Sequence, residues 1–242
     1  MALSPEAPPE GLFRVSEIYK TIQGESSLVG YPTVFVRLYA CNLRCVWCDS
    51  MHAVEGGEFE ETDVDRLAAR VRELAGGGIT RVCWTGGEPL LQWRAIALAI
   101  EALPSNFVHS VETDGEVPLE PIDRALSEKR ARGLLRFIMD VKCPGSGMTA
   151  RRAVENLAHL QPVDEVKFVV LDRADYEFAR AFVASHGIPA KTILFSPVTS
   201  AHTVAAGLDP AKLAAWILED GLDVRLQLQV HKYVWPGKER GI

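Results

Sequence analysis

The stretch TVFVRLYACNLRCVWCDS, Thr33 to Ser50, runs from an apolar, β-rich segment into Cys41, Cys45 and Cys48, three of the five cysteines in the chain. Its valines, phenylalanine and threonine suit a covered, pleated strand, and the reactive residues stand where that strand stops. The same unit recurs: ITRVCWTG starts at 79, FVHSVETDG at 107, LLRFIMDVK at 134, VDEVKFVVLD at 163 and KTILFSPV at 191, intervals of 27 to 29 residues. Helical patterns fill the gaps. TDVDRLAARVRELAGGG has Thr62 as a cap and glycines to end it, and LLQWRAIALAIEAL is amphipathic, with Trp93 as packing. ADYEFARAFVASHG ends on Gly187, and DPAKLAAWILEDG has Asp209 as N-cap and Pro210 at the first helical position.

Strand and helix in alternation give right-handed βαβ units around a parallel sheet. Six such strands are too few for a closed eight-stranded barrel. The fold class expected is therefore α/β: a partial, open TIM-type barrel of about six parallel βα units, with an N-terminal extension and a closing C-terminal strand, DVRLQLQVHKYVW (223–235). A doubly wound sheet is the alternative, and in both folds function collects at the carboxyl ends of the strands. No composition shift divides the chain, so residues 1–11 read as a disordered tail and 12–242 as one core domain.

The composition, 48% hydrophobic and 24% charged over 242 residues, is that of a globular protein. A net charge of −6 and scattered basic residues argue against a nucleic-acid partner, and EKRARGLLR reads as a helix-end cluster. No apolar run approaches a membrane span, and the N-terminus has no signal-peptide pattern, so a cytoplasmic location is expected. Thiols stay reduced there, and clustered cysteines read as a metal site. Three thiolates on one loop suit an iron–sulfur cluster with one iron left open. A structural zinc on Cys41, Cys45, Cys48 and His52 is the rival, although no second ligand pair is present. Cys83, in mid-strand, reads as core.

The spacing C-x3-C-x2-C, with Trp47 before the last cysteine and TGGEP (Thr85–Pro89) closing the next strand, resembles the radical S-adenosylmethionine (radical SAM) superfamily. That resemblance implies a [4Fe–4S] cluster on Cys41, Cys45 and Cys48, whose free iron chelates SAM. Around SAM it places Trp47, Gly86, Gly87, Glu88, Thr113, Asp140, Lys142, Phe195, Ser196 and Pro197. It leaves Cys143 near that pocket but not as a fourth ligand.

The segment EIYKTIQGESSLVGYPTVFVRLYACNLRCVWCDS and the ending QVHKYVWPGKERGI resemble one family in particular, the 7-carboxy-7-deazaguanine synthases. The implied substrate is 6-carboxy-5,6,7,8-tetrahydropterin, which loses ammonia on ring contraction in the route to queuosine and other deazapurines. The implied substrate residues are Ile22, Gln23, Gly24, Glu25, Arg37, Thr85 and His231, with Glu112 as acid/base group and Mg2+ on Ser50. Ser50 stands where the family has threonine. Ser26 stands where it has glycine, which matters only if the turn needs positive φ. Plainer roles stay open: Glu112 as a solvated strand-end acid, Lys142 as the partner of Asp140, His231 as packing. A homodimer and a flavodoxin- or ferredoxin-type electron donor are also expected. The rivals are a glycyl-radical-enzyme activase, which would not call for Gln23, Glu25 and Arg37 together, and a zinc-stabilised binding module.

Overall fold

The computed structural model describes residues 8–148, 150–199, 207–238 and 240–242. Residues 1–7 of the expected tail lie outside the described residues, whereas Pro9 accepts from the Leu12 N–H in a turn that leads into the sheet.

One nine-stranded sheet runs in the order β3-β1-β2-β4-β5-β6-β7-β8-β9. The six expected strands are β2 (Pro32–Leu38), β4 (Arg81–Gly86), β5 (Val108–Thr113), β6 (Leu135–Asp140), β7 (Glu165–Val170) and β8 (Thr192–Pro197), all parallel. The N-terminal extension is β1 (Leu12–Ile22), which pairs antiparallel with β2 and with the short β3 (Glu60–Asp63). β3 and β9 (Arg225–Leu226) are the two ends of an open order, as a partial barrel requires.

Around the sheet lie α1 (Val64–Ala75), α2 (Trp93–Ala102), α3 (Glu120–Ala125), α4 (Ser127–Ala131), α5 (Ala153–Asn156), α6 (Arg173–Ser185), α7 (Pro210–Asp220) and α8 (Val230–Val234). Strand parity decides what each face does. Val34, Val36 and Leu38 of β2 join Val82, Trp84, Val111, Phe137, Val166 and Phe168 in the main core shared with the helices. The alternate residues Phe35, Arg37, Thr85, Glu112, Ile138, Asp140, Lys167 and Val169 line the inner cavity instead.

Three local expectations need correction. The cap of α1 is Asp63, whose Oδ1 accepts from the Arg66 N–H at 2.9 Å, because Thr62 is held in the β1–β3 ladder opposite Phe13. Helix α6 stops at Ser185 with His186 as its cap, one residue before Gly187. The closing strand shrinks to Arg225–Leu226. Its ladder would next meet Pro197, which has no N–H to give, and the chain turns instead into α8. EKRARGLLR does lie at a helix end, with Lys129 and Arg130 in the last turn of α4. Arg130 is buried and forks onto Asp164 with two 2.6 Å bonds, while Asp164 also accepts from the Phe137 N–H at 2.7 Å. A buried charge persists when its partner and the remaining lone pairs are all satisfied, as here.

Candidate functional site

The cysteine loop begins where β2 ends. Ala40 adopts φ 83° there, and its N–H reaches the Ala53 carbonyl at 2.8 Å, which folds the loop back on itself. All five cysteines are free. Burial pushes the Cys45 thiol up to about 11 and raises Cys41 and Cys48 as well, so all three carry protons at neutral pH until a metal displaces them.

The loop nonetheless supplies donors for thiolate charge. The Leu43 N–H lies 3.3 Å from Cys41 Sγ, the Ser50 N–H faces Cys48, and the Lys142 ammonium faces Cys45. Among the described residues, no three His, Cys, Asp or Glu side chains close on a point as the ligands of one ion do. His52 Nε2 lies 3.3 Å from Glu17 Oε1. Three cysteines on one loop are the donor set of a cluster in which each thiolate takes a separate iron.

The end of β4 is wedged against this loop. Gly86 has φ +149°, and a Cβ there would lie 2.1 Å from the Leu38 carbonyl oxygen. A Cβ on Gly87 would lie 2.3 Å from the Ala40 oxygen and 2.8 Å from Cys41 Cβ. The N–H groups of Gly87 and Glu88 donate to Leu38 and Ala40 at 3.0 and 2.9 Å. These two glycines therefore let two backbones meet at the root of the cysteine loop, a role beyond the place around SAM that the resemblance implies. Because the obstructing atoms are backbone, Gly87→Ala is expected to cost about 3 kcal/mol or more in the metal-free protein. Urea denaturation of the unreconstituted variant beside the parent checks this.

Glu88 does not reach the cavity. It is fully buried, accepts from Leu90 N–H, Thr113 Oγ1 and Asp114 N–H at 2.9, 3.0 and 2.7 Å, and so ties the end of β4 to that of β5. Burial, with Asp114 adjacent, pushes its carboxyl well up. Phe195 and Pro197 also lie away from the cavity: Phe195 packs edge-on against Phe168 and Tyr176, and Pro197 pairs with Val170. Ser196 is buried off the cavity lining, and its Oγ has no partner. The strand-end residues that do line it are Val198 and Thr199, because parity and strand length shift the exposed positions two or three residues along the chain.

The remaining expected residues meet around one cavity: Trp47, Gly86, Gly87, Thr113, Asp140 and Lys142 with Ile22, Gln23, Gly24, Glu25, Arg37, Ser50, Thr85, Glu112 and His231. Cys45 and Cys48 line it as well. Lys142 Nζ lies 3.0 Å from Asp140 Oδ2, while Asp140 Oδ1 is buried without a partner. Glu112 is held from both sides, by Gln23 Nε2 at 3.2 Å and Thr85 Oγ1 at 3.1 Å. Gln23 also reaches Cys83 Sγ at 3.7 Å; Cys83 is buried core, as expected, clustered with Tyr19 and Phe35, which do line the cavity.

Arg37 donates to Glu17 at 2.8 Å, Tyr19 at 2.7 Å and Ser50 at 3.1 Å. These bonds use three of its five N–H groups and leave one on each terminal nitrogen, the pair that forks onto a carboxylate. Ser50 in turn donates to Asp49 Oδ1 at 3.1 Å, which sets a hydroxyl and a carboxylate oxygen side by side.

His231 stands on α8 rather than on a strand. It packs so closely on the 23–31 loop that a Cβ on Gly24 would lie 2.2 Å from its Nδ1. Ser26, in the same loop, has φ 66°, so the turn does need the left-handed region. Serine is kept there by its hydroxyl, which accepts from the Leu28 N–H at 3.0 Å. Ser26→Ala keeps the strained φ and loses that acceptor, so it is expected to destabilise by roughly 1–2 kcal/mol. Ser26→Gly trades the same bond for relief of strain and should lie within about 0.5 kcal/mol of the parent. Thermal melts of both variants give the comparison.

Sequence reading missed Asp49, Asp114, Lys167, Gln229 and Lys232, all on the cavity wall. Lys167 did leave a trace, as a lone cation inside the apolar run VDEVKFVV. The others come from loops and from α8, where no periodicity marks a direction.

The Radical SAM superfamily model matches residues 36–146, from β2 through the loop after β6. A 7-carboxy-7-deazaguanine synthase of Koribacter versatilis is 44% identical over 241 residues, covering 95% of this chain and all of that one. Another, from Chlorobaculum tepidum, is 37% identical, with 99% and 100% covered. Among solved structures, QueE from Escherichia coli superposes with TM-score 0.67 at 20% identity over 91% of this chain and 95% of that one. Streptococcus suis SuiB bound to S-adenosylmethionine gives 0.60 at 12% identity, over 81% and 50%; both likenesses concern the fold. On full-length identity to these relatives, the chain belongs to the 7-carboxy-7-deazaguanine synthases, enzymes of the radical SAM superfamily.

Proposed function

We propose that this enzyme converts 6-carboxy-5,6,7,8-tetrahydropterin to 7-carboxy-7-deazaguanine with loss of ammonia, for queuosine or another deazapurine. The observation that carries this is one cavity shared by the cysteine loop and by a set of polar groups suited to a small, carboxylated heterocycle. When bound, a [4Fe–4S] cluster on Cys41, Cys45 and Cys48 and SAM supply the hydrogen-atom abstraction that starts the reaction. Trp47, Gly86, Gly87, Thr113, Asp140 and Lys142 would hold SAM, with the unpartnered Asp140 Oδ1 as one acceptor. Asp114, buried beside them with Oδ2 3.9 Å from Cys41 Sγ, joins this set.

At the substrate end, the free N–H pair of Arg37 takes the carboxylate, and Glu25 takes the amino-pyrimidinone edge. Gln23 and Thr85 hold Glu112 where it can receive and return a proton at a carboxylate oxygen. Asp49 and Ser50 offer Mg2+ hard oxygen ligands, with substrate and water completing the shell. Gly24, Ile22 and His231 shape the wall, which keeps water from the reacting carbon.

The wider expectations belong to this reading: one domain over 12–242, a flavodoxin- or ferredoxin-type donor, a cytoplasmic location and a homodimer. Two observations bear on the location and the dimer. No helix among the described residues is long and apolar enough to cross a membrane, and Leu226, Tyr233 and Val234 are exposed near the β9 end of the sheet. Gel filtration checks the dimer. The reaction itself is tested by anaerobic incubation of reduced, reconstituted enzyme with SAM, Mg2+ and the pterin, read by mass spectrometry. A product lighter by one ammonia, in excess over SAM consumed, supports the assignment. SAM cleavage with the pterin untouched refutes it and points to the activase.

A further inference from the structure

Strand β7 presents two charged side chains to the cavity side, and each grips the loop that crosses it. Glu165 accepts from the Ser27 N–H at 3.0 and 3.2 Å and from the Ser27 hydroxyl, and Arg136 stands 3.7 Å behind it. Two residues along β7, Lys167 Nζ lies 2.9 Å from Glu25 Oε2 and 3.6 Å from Asp140 Oδ2. The loop answers with the same period: Gln23 bonds Glu112 on β5, Glu25 bonds Lys167, and Ser27 bonds Glu165. The other Glu25 oxygen accepts from Gln229 Nε2 at 2.8 Å. Side-chain exposures of 16% for Glu25 and 13% for Lys167 make this a nearly dry pair. Burial alone would raise the Glu25 carboxyl, yet Lys167, followed by His231 and Gln229, draws it down to about 2.

We propose that Lys167 is a positioning residue for substrate recognition, holding the Glu25 carboxylate balanced and turned so that its spare lone pairs take the two parallel N–H donors of a pterin's 2-amino-4-oxo edge. This rests on the reading that Glu25 meets the substrate. Glu25 uses one lone pair on each oxygen for Lys167 and Gln229, so each oxygen can accept once more. Without the cation, a buried carboxylate takes up a proton and presents a hydroxyl to a donor edge, which repels it. The charged and titratable groups facing Glu25 are Lys167 from β7 and His231 from α8, with Asp140 of β6 and Glu112 of β5 acting on Lys167.

The test compares parent, Lys167→Met and Lys167→Arg as anaerobic holoenzymes with SAM. Calorimetry gives the dissociation constant for 6-carboxytetrahydropterin, and kinetics give KM and kcat separately, across the neutral range. Lys167→Met is expected to weaken binding and raise KM roughly 10- to 100-fold, with a smaller fall in kcat. That deficit should shrink as pH rises, because Glu25 then ionises unaided; the parent, already ionised, should lack this trend. Lys167→Arg should restore most of the affinity. Affinity within twofold of the parent in Lys167→Met overturns the proposal, as does an equal deficit in both variants at every pH. Glu25→Gln separates the two ideas. If it leaves affinity intact, the reading of Glu25 itself is wrong. If it weakens binding while Lys167→Met does not, only the role of Lys167 falls.

Discussion

Cys45→Ala is expected to abolish turnover and SAM cleavage together, and to lower bound iron and acid-labile sulfide to background after anaerobic reconstitution. The reason is ligand count. The proposed cluster has three protein thiolates, and no fourth cysteine is placed to substitute. Cys83 is buried in a cluster with Tyr19 and Phe35, and Cys143 is buried at the start of a tight turn after β6. Two thiolates leave two irons open, which a cube in water does not survive as a defined site. The fold should persist, because Cys45 is only partly buried and takes no part in the main core. A circular dichroism spectrum like the parent's therefore belongs to the prediction. Retained iron with SAM cleavage in Cys45→Ala would remove this loop as the cluster site.

Arg37→Lys is expected to separate binding of the cofactor from use of the substrate. Lysine keeps a positive charge beside Glu17 but cannot fork, so one of two charge-assisted bonds to a substrate carboxylate is lost. At about 1.5–3 kcal/mol for such a bond, kcat/KM should fall roughly 10- to 150-fold. Arg37→Ala should fall further, and it leaves Glu17 with His52 and the Gly241 N–H as partners in a half-buried site. The lysine variant is thus the cleaner test. Cluster content and SAM affinity should match the parent in both. Full turnover in Arg37→Lys would sink the carboxylate fork, while loss of the cluster would show that Arg37 acts through Ser50 and the cysteine loop it touches.

Much of this architecture was legible from the chain. Apolar runs at even spacing could be satisfied only by covered parallel strands, and all six appear within a few residues of their expected bounds. The cysteines and the glycines after β4 were legible at strand ends, whereas the Glu25 and Arg37 positions were legible only through the resemblance to the family; the structure brings Cys45, Cys48, Gly86, Gly87, Glu25 and Arg37 to one cavity. Errors fell where a residue's partner is distant in sequence. Alternating LQLQV reads as a strand, but strand formation needs a neighbour with donors, and Pro197 ends that ladder. Thr62 reads as a cap until β1 claims it.

The same division holds at the site. Sequence by itself determined the fold class and the family, and it alone suggests the proposed cluster ligands, because local periodicity and short-range spacing are carried by neighbouring residues. Only the tertiary structure decided which strand-end residues face the cavity. It put Val198 and Thr199 on the wall in place of Phe195 to Pro197, and it turned Glu88 inward as a tie between strands. It alone set Lys167 against Glu25, 142 residues apart. Such pairings depend on sheet register and on the path of the 23–31 loop. Those are fixed by the packing of the whole sheet, and no window of the chain contains them.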